Sequence, residues 1–267
     1  MIKIDEHPYL MEHCGEGERL VRKTRAERVI QQALWAGLKP GMRVLDVGCG
    51  AGFTTSLLAG ISGNAEGLDV STDRIESARK AYPERTFHQR DIYKALDDLG
   101  SYDFIWIRFF LEYHRRSSFD ILKRISGLLA KNGILCTAEL DHHSLNHYPL
   151  EERMQKTLHG LSDHLQKNAD WDPYAGRKLY THLYDIGLEN IELKLDAHHL
   201  IYGTMETVQE SDWLTKLNVA AGQCGYPFDE YEGGFDEFLE DAEKLLADPR
   251  RFTYTPIIIC RGVKPGA

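Results

Sequence analysis

The chain has 267 residues and a formal net charge of −9, with 42% hydrophobic and 27% charged residues. This length fits one large domain with a sizeable core. The acidic balance argues against a broad nucleic-acid surface, which needs clustered Lys and Arg. The sequence has no apolar run long enough to span a bilayer. Five cysteines without a CxxC pair, and a start without the apolar core of a signal peptide, predict a cytoplasmic protein.

The first half of the chain alternates between short apolar runs and segments with helical periodicity. This alternation is typical of a doubly wound, mostly parallel sheet with helices on both faces. Ser71 is predicted to cap the helix that follows the second strand. Predicted strands span 42–47, 65–70, 86–88, 102–107 and 134–140, and predicted helices span 18–36, 53–59, 72–81 and 117–130.

The second half is less regular, and its final strand follows two inserted helices. It contains neither an internal repeat nor a low-complexity linker, so a single domain over 1–267 is expected. Predicted helices span 150–167, 174–186, 205–221 and 235–247, and predicted strands span 191–202 and 252–260.

The run VLDVGCGAG at 44–52 is the most informative motif of the chain. An apolar strand enters a turn with glycines at alternate positions, and a helix follows, which makes a cradle for a nucleotide. The dinucleotide pattern needs a glycine where Phe53 stands, which disfavours a nicotinamide oxidoreductase. Asp46 would repel a pyrophosphate but suits a ligand with a positive group.

On this motif the chain resembles the class I S-adenosylmethionine-dependent methyltransferases, whose first motif reads (V/I)LDxGCGxG. Within that class, the chain resembles the UbiE-like, small-molecule subgroup. The resemblance implies a doubly wound, mostly parallel seven-stranded sheet with an antiparallel last strand and helical cap insertions. It also implies an N-terminal helical lid over 1–36, a cofactor-binding core over 37–142, and caps over 143–173 and 203–250.

The resemblance carries specific roles for S-adenosylmethionine. Asp69 ends the second predicted strand, 21 positions after Gly48, where an acid accepts both ribose hydroxyls. Asp91 is expected to accept from the adenine amine, with the backbone N–H of Ile92 meeting a ring nitrogen. The residues expected to bind the cofactor are Arg19, Asp46, Gly48, Cys49, Gly50, Gly52, Asp69, Val70, Ser71, Asp91, Ile92 and Arg108.

The end of the fourth strand, WIRFFLEYH at 106–114, is similar to the pattern wxRxxLEH of the same subgroup. Arg108 is interpreted as a contact to the cofactor or to an acidic substrate, with a rim salt bridge as the alternative. The absence of (N/D)PPY and of a Pro-Cys pair at this point disfavours methylation of DNA bases.

The fifth predicted strand ends in ELDHH at 139–143. Strand alternation would place Glu139, Asp141 and His143 on one side of the sheet edge. Three interpretations of this cluster remain open: a general base, a metal site, or ordinary polar residues of a loop. No metal ligand is assigned. No catalytic residue is assigned, although Asp141, His143 and His114 are candidates, and the substrate-pocket candidates are Tyr9, Phe109, Tyr113, Glu139 and Asp141.

The segment 226–248 holds nine acids and one base, interleaved with aromatic residues. Its aromatic residues either line a substrate cap or form the core beneath an inserted helix.

The function expected from these observations is methyl transfer to an O, N or C nucleophile of a small molecule. Neither nucleic acid nor membrane is expected as a partner, and the oligomeric state is left open. Two alternatives stay open: a methyltransferase acting on protein or RNA, and a non-catalytic module that binds S-adenosylmethionine.

Overall fold

Eight strands form one mixed sheet in the computed structural model, which describes residues 24–266. The order is β3-β2-β1-β4-β5-β8-β6, and β7 pairs with the other side of β8. Strands β1 to β5 are parallel, and β8 is antiparallel to β5, β6 and β7. The strands are Arg43–Val47 (β1), Asn64–Asp69 (β2), Thr86–Gln89 (β3), Tyr102–Arg108 (β4), Leu129–Leu140 (β5), His147–Tyr148 (β6), Glu189–Tyr202 (β7) and Phe252–Val263 (β8).

Helices cover both faces of the sheet and build a cap beyond its edge. The side chain of Ser71 accepts a hydrogen bond from the Arg74 N–H at 3.4 Å, so the predicted cap is confirmed. The helices are Ala26–Trp35 (α1), Phe53–Ser62 (α2), Thr72–Ala81 (α3), Ser118–Ser126 (α4), Glu152–Asn168 (α5), Ala175–Asp185 (α6), Thr207–Lys216 (α7) and Gly234–Ala247 (α8).

The doubly wound architecture with an antiparallel final strand is confirmed, but the expected count of seven strands is wrong. Strand β8 begins at Phe252, but β5 pairs only with residues 257–263 of β8. The first residues of β8 therefore have no partner in β5. The two-residue β6 pairs with the uncovered start of β8, at Thr253 and Phe252. The imidazole Nδ1 of His147 also lies 2.9 Å from the Thr253 hydroxyl. The extra strand therefore completes the hydrogen bonding of a long β8.

Several predicted elements have different bounds in the structure. The helix predicted over 117–130 ends at Ser126, and β5 already begins at Leu129, where it pairs with Tyr102 before a bulge. The helix predicted over 205–221 is α-helical only to Lys216 and continues as a π-helical turn, Leu217–Ala221. The part of the predicted helix 18–36 before residue 24 lies outside the described residues, as does most of the predicted lid.

Two apolar layers lie on opposite faces of the sheet, because successive residues of β4 point to opposite sides. Ile105 and Ile107 belong to one layer, and Phe104 and Trp106 belong to the other. A third cluster holds the cap together, with α5 packed on α8 and on the aromatic residues of 226–238. These aromatic residues therefore form the core of the cap.

The strand order reverses between β1 and β4, which lie side by side. In an open α/β sheet, the crevice beyond the carboxyl ends of two such strands is where ligands bind. The segments that follow β1 and β4 therefore mark the expected place of the site.

The cap core should depend on Phe238, which is fully buried among Phe228, Tyr231 and Phe235. We expect Phe238→Ala to lower the free energy of unfolding by about 3–5 kcal/mol, because it removes a buried ring and leaves a cavity. Urea denaturation followed by fluorescence measures the change. The matched control is Phe252→Ala, whose side chain is 44% exposed; equal losses in the two variants would contradict a cap core centred on Phe238.

Candidate functional site

The turn after β1 is held by glycines with positive φ angles. Gly48, Gly50 and Gly52 have φ of 72°, 54° and 83°, a region that favours glycine. A Cβ on Gly48 would lie 2.5 Å from Cδ2 of Phe110, and one on Gly52 would lie 2.7 Å from Cζ of Phe87. Gly48 and Gly52 thus combine backbone freedom with close approach to a neighbouring ring, whereas a Cβ on Gly50 would meet no atom within 4 Å.

Asp69, at the end of β2, binds this turn directly. One carboxylate oxygen accepts the Gly50 N–H at 2.9 Å, and the other accepts the Ser71 N–H at 2.9 Å. The structure therefore brings the glycine turn and the 69–71 segment together, as the motif spacing predicts. Val70, which lies between Asp69 and Ser71 in the sequence, is exposed.

Asp46 is buried beneath the turn. Its carboxylate accepts a hydrogen bond from the Thr55 hydroxyl of α2 at 2.7 Å. Burial, with the nearby charge of Asp69, raises the pKa of Asp46 to about 7, against the opposing effects of the Thr55 hydrogen bond and of Arg108. A carboxylate in this position is stabilised by a positive group brought close to it.

Cys49 lies in the same turn with its thiol buried. Burial raises the pKa of this thiol above its usual range, with Asp46 and Asp69 adding to the effect. The thiol therefore stays protonated and packs as a small apolar group.

The end of β3 lies beside the end of β2. The Arg90 N–H donates to the Asp69 carbonyl at 3.0 Å, and Asp91 accepts from the Tyr93 N–H at 2.9 Å. Ile92 is buried. Asp69 and Asp91 thus occupy neighbouring strand ends, as a ligand extended along the sheet edge requires.

Arg108, at the end of β4, is a half-buried cation. Its guanidinium lies 4.0 Å from the centre of the Phe109 ring, and its buried Nε has no hydrogen-bond partner among the described residues. Burial lowers the pKa of Arg108 to about 10, which the charges of Glu139 and Asp46 oppose. A rim salt bridge is not what the structure shows.

Glu139 is fully buried under the loop that follows β4. Its Oε1 accepts from the N–H groups of Phe110 and Leu111 at 3.0 and 2.9 Å. Burial, with the nearby charge of Glu112, raises the pKa of Glu139 to about 8, although the backbone hydrogen bonds to Leu111 and Phe110 lower it. Glu139 therefore positions the loop that carries Phe110 and does not line the cavity described next.

A cavity of about 840 Å³, its mouth included, opens beyond the ends of β4 and β5. The cap helix α5, the segment around Trp171, and α7 with its π-helical turn enclose it. Phe109 and Tyr113 line it, as predicted for the substrate pocket. The other lining residues are Glu112, Leu140, His143, Ser144, Leu145, Leu158, Leu161, Ser162, Leu165, Trp171, His198, Trp213, Lys216, Leu217, Ala220 and Ala221.

The expectation that Glu139, Asp141 and His143 share one side is wrong. Strand β5 ends at Leu140, and His142 has a φ of 48°, so the alternation breaks. Asp141 forms a bidentate ion pair with Arg177, at 2.7 and 2.8 Å, and does not line the cavity.

His143 reaches the cavity, where its Nδ1 lies 3.1 Å from Oε2 of Glu112. His114 does not line it. The His114 ring packs on Phe110, its Nδ1 lies 2.9 Å from the Tyr93 hydroxyl, and burial lowers its pKa to about 4.

The remaining predictions concern two N-terminal residues, a metal site and a membrane-spanning helix. Tyr9 and Arg19 lie outside the described residues. Across the part of the chain that is described, no group of three His, Cys, Asp or Glu side chains is arranged to hold a metal ion. Within the same residues, none of the helices combines the length and apolar character that a membrane crossing needs.

Most of the residues that line the cavity were not predicted, among them His198, Trp213 and Lys216. His198 packs edge-on against Phe109, with ring centres 4.8 Å apart, and Trp213 and Lys216 come from the start of the inserted helical segment. The spacing 213, 216, 217, 220 and 221 is a helical stripe. That stripe would have been a usable signal had the position of α7 over the sheet edge been known.

The comparisons with known proteins agree with this geometry. A model of the methyltransferase-domain family matches residues 38–187, more than half of the chain. The chain therefore belongs to the methyltransferase-domain family. It is a class I S-adenosylmethionine-dependent methyltransferase by family and fold. No curated protein sequence matches it significantly.

Several solved structures share the fold at low sequence identity. The YcgJ protein of Bacillus subtilis aligns over 91% of this chain and 100% of its own, with 15% identity and a TM-score of 0.58. Phosphoethanolamine N-methyltransferase 2 of Haemonchus contortus aligns over 90% of this chain but only 52% of its own, with 16% identity and a TM-score of 0.55. Magnesium protoporphyrin IX methyltransferase of Synechocystis aligns over 93% and 82%, with 15% identity and a TM-score of 0.50.

The residues present fit S-adenosylmethionine as the cofactor. The glycine turn leaves no room for a side chain at Gly48, and the buried Arg108 Nε lacks a partner within the described chain. Carboxylates at Asp46 and Asp69 surround the same turn. A zwitterion that also carries a sulfonium can match both the cation and the acids.

The ribose role predicted for Asp69 can be tested by calorimetry with S-adenosylhomocysteine. We expect Asp69→Ala to weaken binding at least about tenfold, because two hydrogen bonds to a charged group are lost. An analogue without the ribose 2′-hydroxyl should bind the wild type less well but bind Asp69→Ala as well as the parent compound does. If both proteins discriminate equally between the two ligands, Asp69 does not bind the ribose.

Glu139 should make stability depend on pH. Its pKa is raised from 4.5 to about 8 on folding, so the folded protein binds more protons than the unfolded chain between these values. The stabilising effect of its protonated form is complete below about pH 4.5 and is lost as the pH rises through about 8.

Relative to Glu139→Gln, the wild type should therefore lose stability from pH 5 to pH 8, by up to about 1.4 kcal/mol per pH unit. Denaturant unfolding of both proteins at the two pH values measures this. A constant difference would show that Glu139 is ionised throughout.

Proposed function

We propose that this methyltransferase acts on a small molecule bound in the cavity beyond β4 and β5. The observation that carries the proposal is the continuity between the glycine turn and the cavity. Phe110 covers Gly48, and its neighbour Phe109 lines the cavity. A ligand on the turn and an acceptor in the cavity would then meet at the end of β4.

The residues of the cofactor half would each bind one part of S-adenosylmethionine. Asp69 would accept from the ribose hydroxyls, and Asp91 with Ile92 would bind the adenine. Arg108 would pair with the carboxylate of the amino-acid moiety, and Asp46 would face its positive groups. The remaining contacts would come from the backbone of the turn.

When bound, S-adenosylmethionine supplies a methyl group on a sulfonium, already activated for transfer to an O, N or C nucleophile. The protein then has mainly to orient the acceptor in line with that methyl group and to exclude water. Phe109, Tyr113 and Trp171 would hold the acceptor, and the cap would close over it. The family's chemistry thus needs few reactive side chains from this chain.

The shape and charge of the molecule favour a small acceptor. The cavity is walled mostly by leucine and aromatic side chains, as small-molecule sites usually are. A net charge of −9 opposes the phosphate backbone of RNA. A cytoplasmic location, suggested by cysteine usage, remains a prediction.

The proposal can be tested by a screen of small-molecule acceptors with radiolabelled cofactor, with bulk protein and RNA as competing acceptors. Label in small molecules supports it. Label only in protein or RNA, or cofactor binding without any transfer, would contradict it in favour of the macromolecular or the non-catalytic alternative.

A cavity-filling variant tests the location of the acceptor. We expect Ala220→Phe to reduce turnover at least about tenfold by occupying the cavity, with the affinity for S-adenosylhomocysteine unchanged. The matched control is Asn218→Phe, at an exposed position of the same π-helical turn that does not line the cavity. Equal turnover in Ala220→Phe and the wild type would place the acceptor elsewhere.

A further inference from the structure

We propose that the acceptor carries a hydroxyl group on a largely apolar ring system, and that His143 receives the hydroxyl proton while Glu112 positions its imidazole. This inference rests on the proposed function of the cavity and specifies its chemistry. In this inference, Glu112 and His143 act on the acceptor, whereas neither residue is assigned a contact to the cofactor.

The pair is built from the ends of two neighbouring strands. Glu112 lies in the short helical turn Leu111–Tyr113 after β4, and His143 lies three residues after β5. The Glu112 side chain is 3% exposed and the His143 side chain is 11% exposed. Both residues line the cavity in which the acceptor would lie.

The same short segment braces both residues through the backbone. The Asp172 N–H donates to the Glu112 carbonyl at 2.7 Å, and the His143 N–H donates to the Pro173 carbonyl at 3.1 Å. Trp171, immediately before that segment, packs against the imidazole with ring centres 5.6 Å apart. The orientation of the imidazole is therefore fixed from three directions.

The hydrogen bond to Glu112 also decides which ring nitrogen can act. A carboxylate only accepts, so the proton of the neutral imidazole lies on Nδ1, 3.1 Å from Oε2. The lone pair then lies on Nε2, the nitrogen that can receive a proton. Glu112 would stabilise the imidazolium that forms.

The cavity lining points to the class of acceptor. Leucine, alanine and aromatic side chains form most of the wall, and Glu112 is its one acidic side chain among the described lining residues. An apolar ring system fits such a wall, with one polar group at the pair. A neutral hydroxyl is a weak nucleophile that needs a base in the same step, whereas a neutral amine does not.

The step balances as follows. An oxygen lone pair forms the O–C bond to the methyl carbon, and the C–S bond breaks with its electron pair going to sulfur. The hydroxyl proton passes to Nε2 of His143. The positive charge of the sulfonium thus reappears on the imidazolium beside Glu112, and the products are a methyl ether and S-adenosylhomocysteine.

The experiment compares the wild type with His143→Gln, using 2-naphthol and para-substituted phenols of graded acidity from 4-methoxyphenol to 4-nitrophenol. We expect His143→Gln to lower kcat by about 100-fold for 4-methoxyphenol. For 4-nitrophenol, which ionises unaided near neutral pH, the loss should be less than about fivefold, because no base is needed. A merely structural role for His143 would slow all the phenols equally.

In Glu112→Gln, the loss of kcat should also be larger for the less acidic phenols, but for each phenol it should be smaller than in His143→Gln. His142→Gln is the matched control, because His142 is the adjacent histidine, contacts Asp141 and Arg177, and does not line the cavity. It should leave every rate within about twofold, as surface substitutions usually do.

A second readout needs no turnover. Binding of 4-nitrophenol to the protein loaded with S-adenosylhomocysteine should shift its absorbance toward the phenolate in the wild type but not in His143→Gln.

The outcomes separate this inference from the proposed function. Transfer to amines or carbon nucleophiles with none to hydroxyls, or equal acidity dependence in His143→Gln and the wild type, would overturn the base and leave the small-molecule function standing. Transfer to no small molecule by a protein that binds the cofactor would overturn both.

Discussion

The contact between Gly48 and the ring of Phe110 is the constraint on which the rest of the site depends. It joins the turn after β1 to the loop after β4 so closely that a methyl group at Gly48 would meet the ring. The loop is held in turn by Glu139, whose carboxylate binds the N–H groups of Phe110 and Leu111. A fully buried acid of β5 thus fixes the boundary between the cofactor half and the acceptor half.

The electrostatics of the two halves differ because burial acts on different groups. Around the turn, burial raises the pKa of Asp46 and lowers that of Arg108, so each gains from a ligand charge of opposite sign. In the cavity, the one acid among the described lining residues lies against His143, and the cation Lys216 lies over the ring of Trp213. Charge recognition is therefore concentrated at the turn, and the cavity selects mainly by shape and apolar surface.

The sequence was sufficient to predict most of the fold and the proximity of the glycine turn to the acids at the next two strand ends, while the contacts to the cofactor remain predictions. Those features are local in the chain: a glycine turn directly after an apolar strand, and acids at the ends of the next two strands. The acceptor half was harder, because its residues come from distant segments whose directions depend on the packing of the cap. The left-handed backbone at His142 sends Asp141 and His143 to different partners, and strand alternation cannot reveal it. Nor does a helical period reveal the π-helical turn that presents Ala220 and Ala221.

The cap has a hydrophobic cluster of its own, drawn mainly from 145–171 and 221–245. Because the cap packs on itself, the helices that line the cavity can change in sequence while the strands beneath keep theirs. Among relatives of this protein, the sequence of the cap helices should therefore vary more than the sequence of the strands. A sheet that keeps its sequence under a variable cap allows one methyl-donor fold to act on many different acceptors.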